Sequence, residues 1–240
     1  MALPSNWQIP AAIRIRFGDK RAGKQRAMMA EGHLLLILHK VPTSDMNERE
    51  PAFFWRKPKG EWESTERGQG LFSLQNHLEE YEKAEERFDT ALKKATDAED
   101  YFQILQELGP VVHAARNLHL TLQSARESIK EDRNIIDFRD QAYDLQRTLD
   151  LLYADTRTAL DFYMARKSEE QIRQGTQSIQ SEQRLNILAA IFFPITAIAG
   201  IFGMNLTSGL EDLPTVAFWA IFGAGLLLGF ITRGWVKKKS

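Results

Sequence analysis

The run "PITAIAGIFGMN" (residues 194–205) ends an apolar stretch on an uncharged amide, Asn205, and two carboxylates, Glu211 and Asp212, follow within seven residues. An amide at a membrane boundary donates and accepts hydrogen bonds without the penalty that an ionised carboxylate meets there. Gathered around an axis, several such side-chain carbonyls make a ring of oxygen acceptors. That ring suits a hydrated cation, magnesium above all, because magnesium sheds its water reluctantly. Glu211 and Asp212 would concentrate cations at its mouth.

Other chemistries find little support. "GDKRAGKQ" (residues 18–25) nearly matches a phosphate loop, but Gln25 occupies the position whose hydroxyl must bind magnesium. A β-like segment follows it where a helix N-terminus is needed, so it reads as a basic hairpin turn. His113 and His119 are six residues apart, on different helix faces, and the histidines read as surface or cap residues. With no cysteine, thiolate metal sites and cysteine nucleophiles are excluded. No catalytic constellation emerges, so the chain is not expected to be an enzyme. Its formal net charge of -1 gives no basis for binding nucleic acid.

The elements that position Asn205 follow from hydropathy. The mean hydropathy of -0.36 hides a strong segregation. Residues 185–206 and 213–232 carry no charge over 22 and 20 positions. A helix needs about 20 apolar residues to cross a bilayer core, so two closely spaced spans are expected. Arg166, Lys167, Arg173 and Arg184 precede the first, and Arg233, Lys237, Lys238 and Lys239 follow the second, whereas "TSGLEDLP" between them has no basic residue. Both termini therefore face the cytoplasm. "MALPSNWQIP" has no basic segment followed by an apolar one, and no cleavable signal peptide is expected. Gly225 and Gly229 form G-x-x-x-G in the second span, with Gly223 extending the small face.

Upstream, residues 12–65 read as a small β unit. "AIRIRF" alternates like a half-buried strand, "GHLLLILHK" reads as a buried strand, and "PAFFWRKPKGEWEST" as two strands about a "KPKG" turn. Too small for a large core, the unit must pack against helices. From Leu71 the pattern is helical, with nine acidic against four basic residues over 79–100. A break is expected at Gly109 and Pro110, then a second helix over about 111–132. A third begins near Asn134. Phe138, Ala142, Leu145, Leu149, Leu152, Thr156, Ala159 and Tyr163 step by fours and threes, and Ile172 and Ile179 follow at seven-residue spacing. This predicts one helix running into the first span, its narrow stripe suited to self-association about an axis.

"PITAIAGIFGMN" closely resembles the signature of the CorA-type divalent-cation channels, with Pro194, Thr196, Ile198, Ala199, Gly200, Gly203, Met204 and Asn205 as matching positions. "DFRDQAYD" (137–144) and "ALDFYMA" (159–165) look like the family's stalk helix, "VKKKS" (236–240) like its basic cytoplasmic ring, and the acidic segment from Glu79 like its helical hairpin. About the C-terminal 170 residues are covered. Phe202 stands where tyrosine is usual, the spacing from Asp161 to Leu185 is longer by about a heptad, and the β unit is reduced.

The resemblance implies a homopentamer whose first spans line a pore. Asn205 would form the selectivity ring, shaped by Gly203 and Met204. Thr196 would face the pore one level down, and Phe193 and Leu185 would sit at hydrophobic constrictions. Lys237, Lys238 and Lys239 would ring the inner end. Asp161 is the candidate for a regulatory metal site.

The expected fold is an α+β membrane protein. A small antiparallel β unit (1–68) precedes an acidic helical hairpin and long stalk helix (69–184). The first span (185–206), an external loop (207–212), a second span (213–232) and a basic tail (233–240) follow. Its expected place is the inner or plasma membrane of a prokaryote. The expected cargo, with no cofactor, is Mg2+ or else Zn2+, Co2+ or Ni2+, which would also serve as regulatory ion. Two other readings stand beside this one: a zinc-preferring, proton-coupled ZntB-like transporter, and a non-conducting membrane-tethered scaffold.

Overall fold

The run "HLLLILH" forms strand β2 (His33–His39) of an antiparallel sheet in the computed structural model, which describes residues 3–17, 23–43, 50–66, 68, 70–203 and 214–239. With β1 (Arg26–Ala30), β3 (Pro51–Arg56) and β4 (Trp62–Ser64) it gives the order β1-β2-β3-β4. Glu31 and Gly32 join β1 to β2 with φ of 52° and 76°, the left-handed pair that a two-residue hairpin requires. At "KPKG" the Lys57 N–H donates to the Glu61 carbonyl at 2.8 Å and closes the turn between β3 and β4.

Apolar side chains run without alternation along β2 because both faces of the sheet are covered. Leu34, Leu36, Leu38, Ala52 and Phe54 pack towards the helices, while Leu35, Ile37, Phe53 and Trp55 meet Trp7, Ile9 and Ile13. The segment expected as a strand over "AIRIRF" is instead the short helix α1 (Ala11–Arg14) and a turn. The Pro10 carbonyl accepts from Ile13 and Arg14 and starts that turn. A strand would have put Ile13 and Ile15 on one face; here Ile13 is fully buried and Ile15 is 83% exposed.

The helical hairpin turns earlier than its proline suggested. α2 (Gly70–Lys94) ends where Asp97 caps α3 (Ala98–Ser128). Asp97 accepts from the Asp100 N–H at 3.0 Å, and Asp100 accepts from the N–H groups of Asp97 and Thr96. Those backbone bonds hold the Asp100 carboxyl below its ordinary pKa. The expected break at Gly109 and Pro110 does not occur, and α3 runs through both. Pro110 denies a hydrogen bond only to Gln106, and both residues are exposed, so that carbonyl faces water.

Two histidines are interior, contrary to the surface assignment. His39 is buried in β2. His77 lies edge-on to Phe54 and Tyr81, with ring centroids 5.5 and 5.7 Å away. Burial pushes its pKa down to about 4, and the nearby Lys40 charge adds to the effect. Tyr81 donates its hydroxyl to the His39 carbonyl at 2.8 Å. The hairpin turn expected over residues 18–25 lies partly outside the described residues. Gln25 within it is buried, and its Nε2 donates to the Ala114 carbonyl at 2.8 Å.

α4 (Arg133–Gly203) is continuous, as the sequence predicts, and α5 (Thr215–Lys239) follows. The chain divides within α4 into two units, Met1–Ala165 and Arg166–Ser240. In the first, the α4 seam is already occupied. Phe138, Ala142, Leu145, Leu149 and Leu152 are buried with Leu108, Val111, Ala115, Leu118 and Leu122 of α3 in one core. Thr156, its polar member, donates its hydroxyl to the Leu152 carbonyl at 2.7 Å. This stretch is therefore spent inside the chain, not left for self-association. In the second unit Ile172 and Ile179 are exposed.

Candidate ion pathway

Seen along α4, Leu185 and Thr196 lie about 20° apart and Phe193 within about 80° of them, given 100° per residue. One face of the helix thus carries all three. Leu185 is 65% and Phe193 72% exposed. Thr196 donates its hydroxyl to the Phe192 carbonyl at 2.8 Å, so what its oxygen presents outward is lone pairs. The apolar part of α4 carries no charge from Leu185 onward, and none of its described residues is buried in the chain. This is the pattern of a helix that meets lipid or other helices rather than its own core.

α5 packs on the other side. Gly225 lies against Ile198, and Gly229 against Ile191, so the two helices run antiparallel. Ile191 and Ile198 lie about 160° around α4 from the face carrying Leu185, Phe193 and Thr196. The G-x-x-x-G spacing therefore marks a real helix contact, and both glycines are buried. Gly223 takes no part in it: nothing lies within 4 Å of the point where its Cβ would be. α5 itself holds an apolar stretch, Phe218–Ile231. Lys237, Lys238 and Lys239 fall in its last turn.

Towards the N-terminal side, the Leu185 face continues through Gln171, Gln174, Ser178 and Ser181 at heptad spacing, all exposed and all uncharged. Sequence reading missed this run because it sought apolar periodicity; the signal was a heptad of amides and hydroxyls. Beside this run, Glu170 and Arg173 pair with each other. Arg173 donates to both Glu170 oxygens at 2.9 and 3.0 Å, holding the Glu170 carboxyl below its ordinary pKa.

Of the remaining candidates, Gly203 is the last residue of α4, while Met204, Asn205, Glu211 and Asp212 lie outside the described residues. Asp161 is exposed on α4. Among the described residues no group of three or more histidine, aspartate or glutamate side chains is arranged to hold a metal ion.

The model of the CorA-like Mg2+ transporter protein family matches residues 72–238. No curated protein matches the chain. Among solved structures, it is similar to the ZntB cytoplasmic domain from Vibrio parahaemolyticus RIMD 2210633, at 10% identity and a TM-score of 0.54, over 68% of this chain and 80% of that one. It also aligns with the full-length CmaX protein (12% identity, TM-score 0.49, 89% and 79% covered). A third alignment is with the CorA magnesium transporter from Methanocaldococcus jannaschii (15% identity, TM-score 0.38, 92% and 81% covered). The first of these likenesses bears on fold alone. The family match spans well over half of the chain, which therefore belongs to the CorA-like Mg2+ transporters, membrane proteins that move divalent cations and are not enzymes.

Proposed function

We propose that the chain forms a homopentameric CorA-like channel that carries magnesium, with both termini cytoplasmic and α4 lining the pore. One observation carries the reading: α5 occupies the side of α4 opposite Leu185, Phe193 and Thr196, and the helix ends at Gly203, which Met204 and Asn205 follow in sequence. Five copies turned inward would stack an asparagine ring, a threonine ring and two apolar constrictions. Asn205 would recognise the hydration shell, since an uncharged amide ring need not strip the ion of water. Phe193 and Leu185 would gate by excluding water, and Gln171, Gln174, Ser178 and Ser181 would keep the ion hydrated below them. Glu211 and Asp212 would draw cations to the outer mouth and the lysines of the tail would surround the inner one.

Two measurements on the purified full-length protein test this. Its mass in detergent should correspond to five chains; a monomer or dimer builds no ring and leaves the scaffold reading. Competition of Mg2+ influx by Zn2+, Co2+ and Ni2+ in proteoliposomes identifies the cargo. Zn2+ uptake that exceeds Mg2+ uptake and depends on a proton gradient would replace the magnesium channel with a ZntB-like transporter.

A further inference from the structure

The two glycine contacts between α5 and α4 differ in kind. At Gly225 an added Cβ would come within 2.9 Å of Ile198 Cδ1, the mobile end of a side chain. At Gly229 it would come within 3.2 Å of Ile191 Cα and of the Ile191 carbonyl oxygen, and within 3.7 Å of the Ala190 carbonyl oxygen, all backbone. Ala190 lies four residues before Pro194, whose ring nitrogen has no hydrogen to give that carbonyl. The α5 backbone therefore rests on α4 within the turn where proline alters the hydrogen-bond ladder, the place where a helix can change direction. Phe193 and Thr196 flank Pro194 on the far side.

We infer that Gly229 is a positioning residue for the ion pathway. Resting on the reading that the Thr196 face lines the pore, the assignment is that Gly229 seats α5 against Ala190 and Ile191. That contact fixes the course of α4 through Pro194 and hence the angle at which Phe193 and Thr196 meet the ion. Gly229 itself touches no ion. A methyl group there cannot be relieved by a rotamer change, because its neighbours are main chain; it must shift one helix against the other. At Gly225 the same methyl group is relieved once Ile198 loses its Cδ1.

The full-length protein in proteoliposomes tests this, with Mg2+ and Co2+ as probes and oligomer mass measured for each variant. Gly229→Ala should change Mg2+ influx by about tenfold, as expected for misplaced contact groups. It should also alter the Mg2+ to Co2+ preference at unchanged oligomer mass, and Ile191→Ala should not restore either. Gly225→Ala should have the smaller effect, and Ile198→Val should reverse it. Wild-type influx and preference in Gly229→Ala overturn the assignment, and so does reduced influx with the preference unchanged. Should Gly229→Ala fail to assemble, Pro194→Ala decides: it keeps the Gly229 contact but restores the N–H, and an unchanged preference overturns the assignment. A wild type that carries no Mg2+ overturns the pathway reading itself, a result separate from any of these.

Discussion

Arg56, at the end of β3, donates its Nε to Asp132 Oδ2 at 2.6 Å, just before α4 begins. The other Asp132 oxygen accepts from the N–H groups of Asn134 and Ile135 at 3.0 and 3.4 Å. One carboxylate thus caps the stalk helix and ties it to the sheet, with side-chain exposures of 14% for Arg56 and 9% for Asp132. Asp132→Ala loses both roles and should cost about 2–4 kcal/mol; Asp132→Asn keeps the cap and should cost about half of that. Chemical denaturation of the two variants in detergent measures the difference. Equal losses would contradict the double role.

Glycine is required at the start of α2 but not in the stalk. A Cβ at Gly70 would run into the Trp62 carbonyl carbon and lie 2.6 Å from the Glu63 nitrogen, whereas nothing lies within 4 Å at Gly175. Gly70→Ala should destabilise by about 3 kcal/mol or more, through backbone overpacking. Gly175→Ala should stabilise the helix by about 1 kcal/mol. Thermal unfolding should therefore move in opposite directions for the two variants, and a shared sign would refute the contrast.

His77 makes stability depend on pH. The unfolded imidazole takes up a proton near its ordinary pKa of 6.5, whereas the buried one resists until about 4. Between those values the unfolded chain binds more protons, so the contribution is whole above about pH 6.5 and falls as pH drops towards 4. The full loss is about 3 kcal/mol. Denaturation at pH 7 and pH 4.5 should show a shallower decline in His77→Leu than in the wild type. Parallel declines would exclude this histidine as the cause.

Pro110 is a cost that α3 carries on its wet side. In a helix interior proline is about 3 kcal/mol less favourable than alanine, offset by up to about 1 kcal/mol of unfolded-chain entropy. With Pro110 and Gln106 both exposed, Pro110→Ala should stabilise by about 1–2 kcal/mol. A lower Tm would show that the ring makes contacts of its own.

Legibility in the sequence tracked periodicity. The α4 seam, the buried β2 run and the "KPKG" turn were readable because each repeats or punctuates at a fixed interval. The hairpin turn was misplaced because "GP" is a stronger local signal than "TDAED", while the capping box of Asp97 and Asp100 decides the local energetics. α1 was misread because alternation over six residues fits a strand as well as one helical turn. That the seam at residues 138–156 is filled by α3 depends on long-range packing, which no local pattern encodes. The side of α4 that α5 occupies was likewise absent from the one-dimensional pattern: G-x-x-x-G announces a contact but not its partner.

The central claim is that Asn205 selects the ion, and Mg2+ influx into proteoliposomes of wild type and Asn205→Ala tests it most directly. The account predicts saturable influx through the wild type and a loss of about a hundredfold in the variant, with the pentamer intact in both. Influx through Asn205→Ala equal to that of the wild type would contradict it.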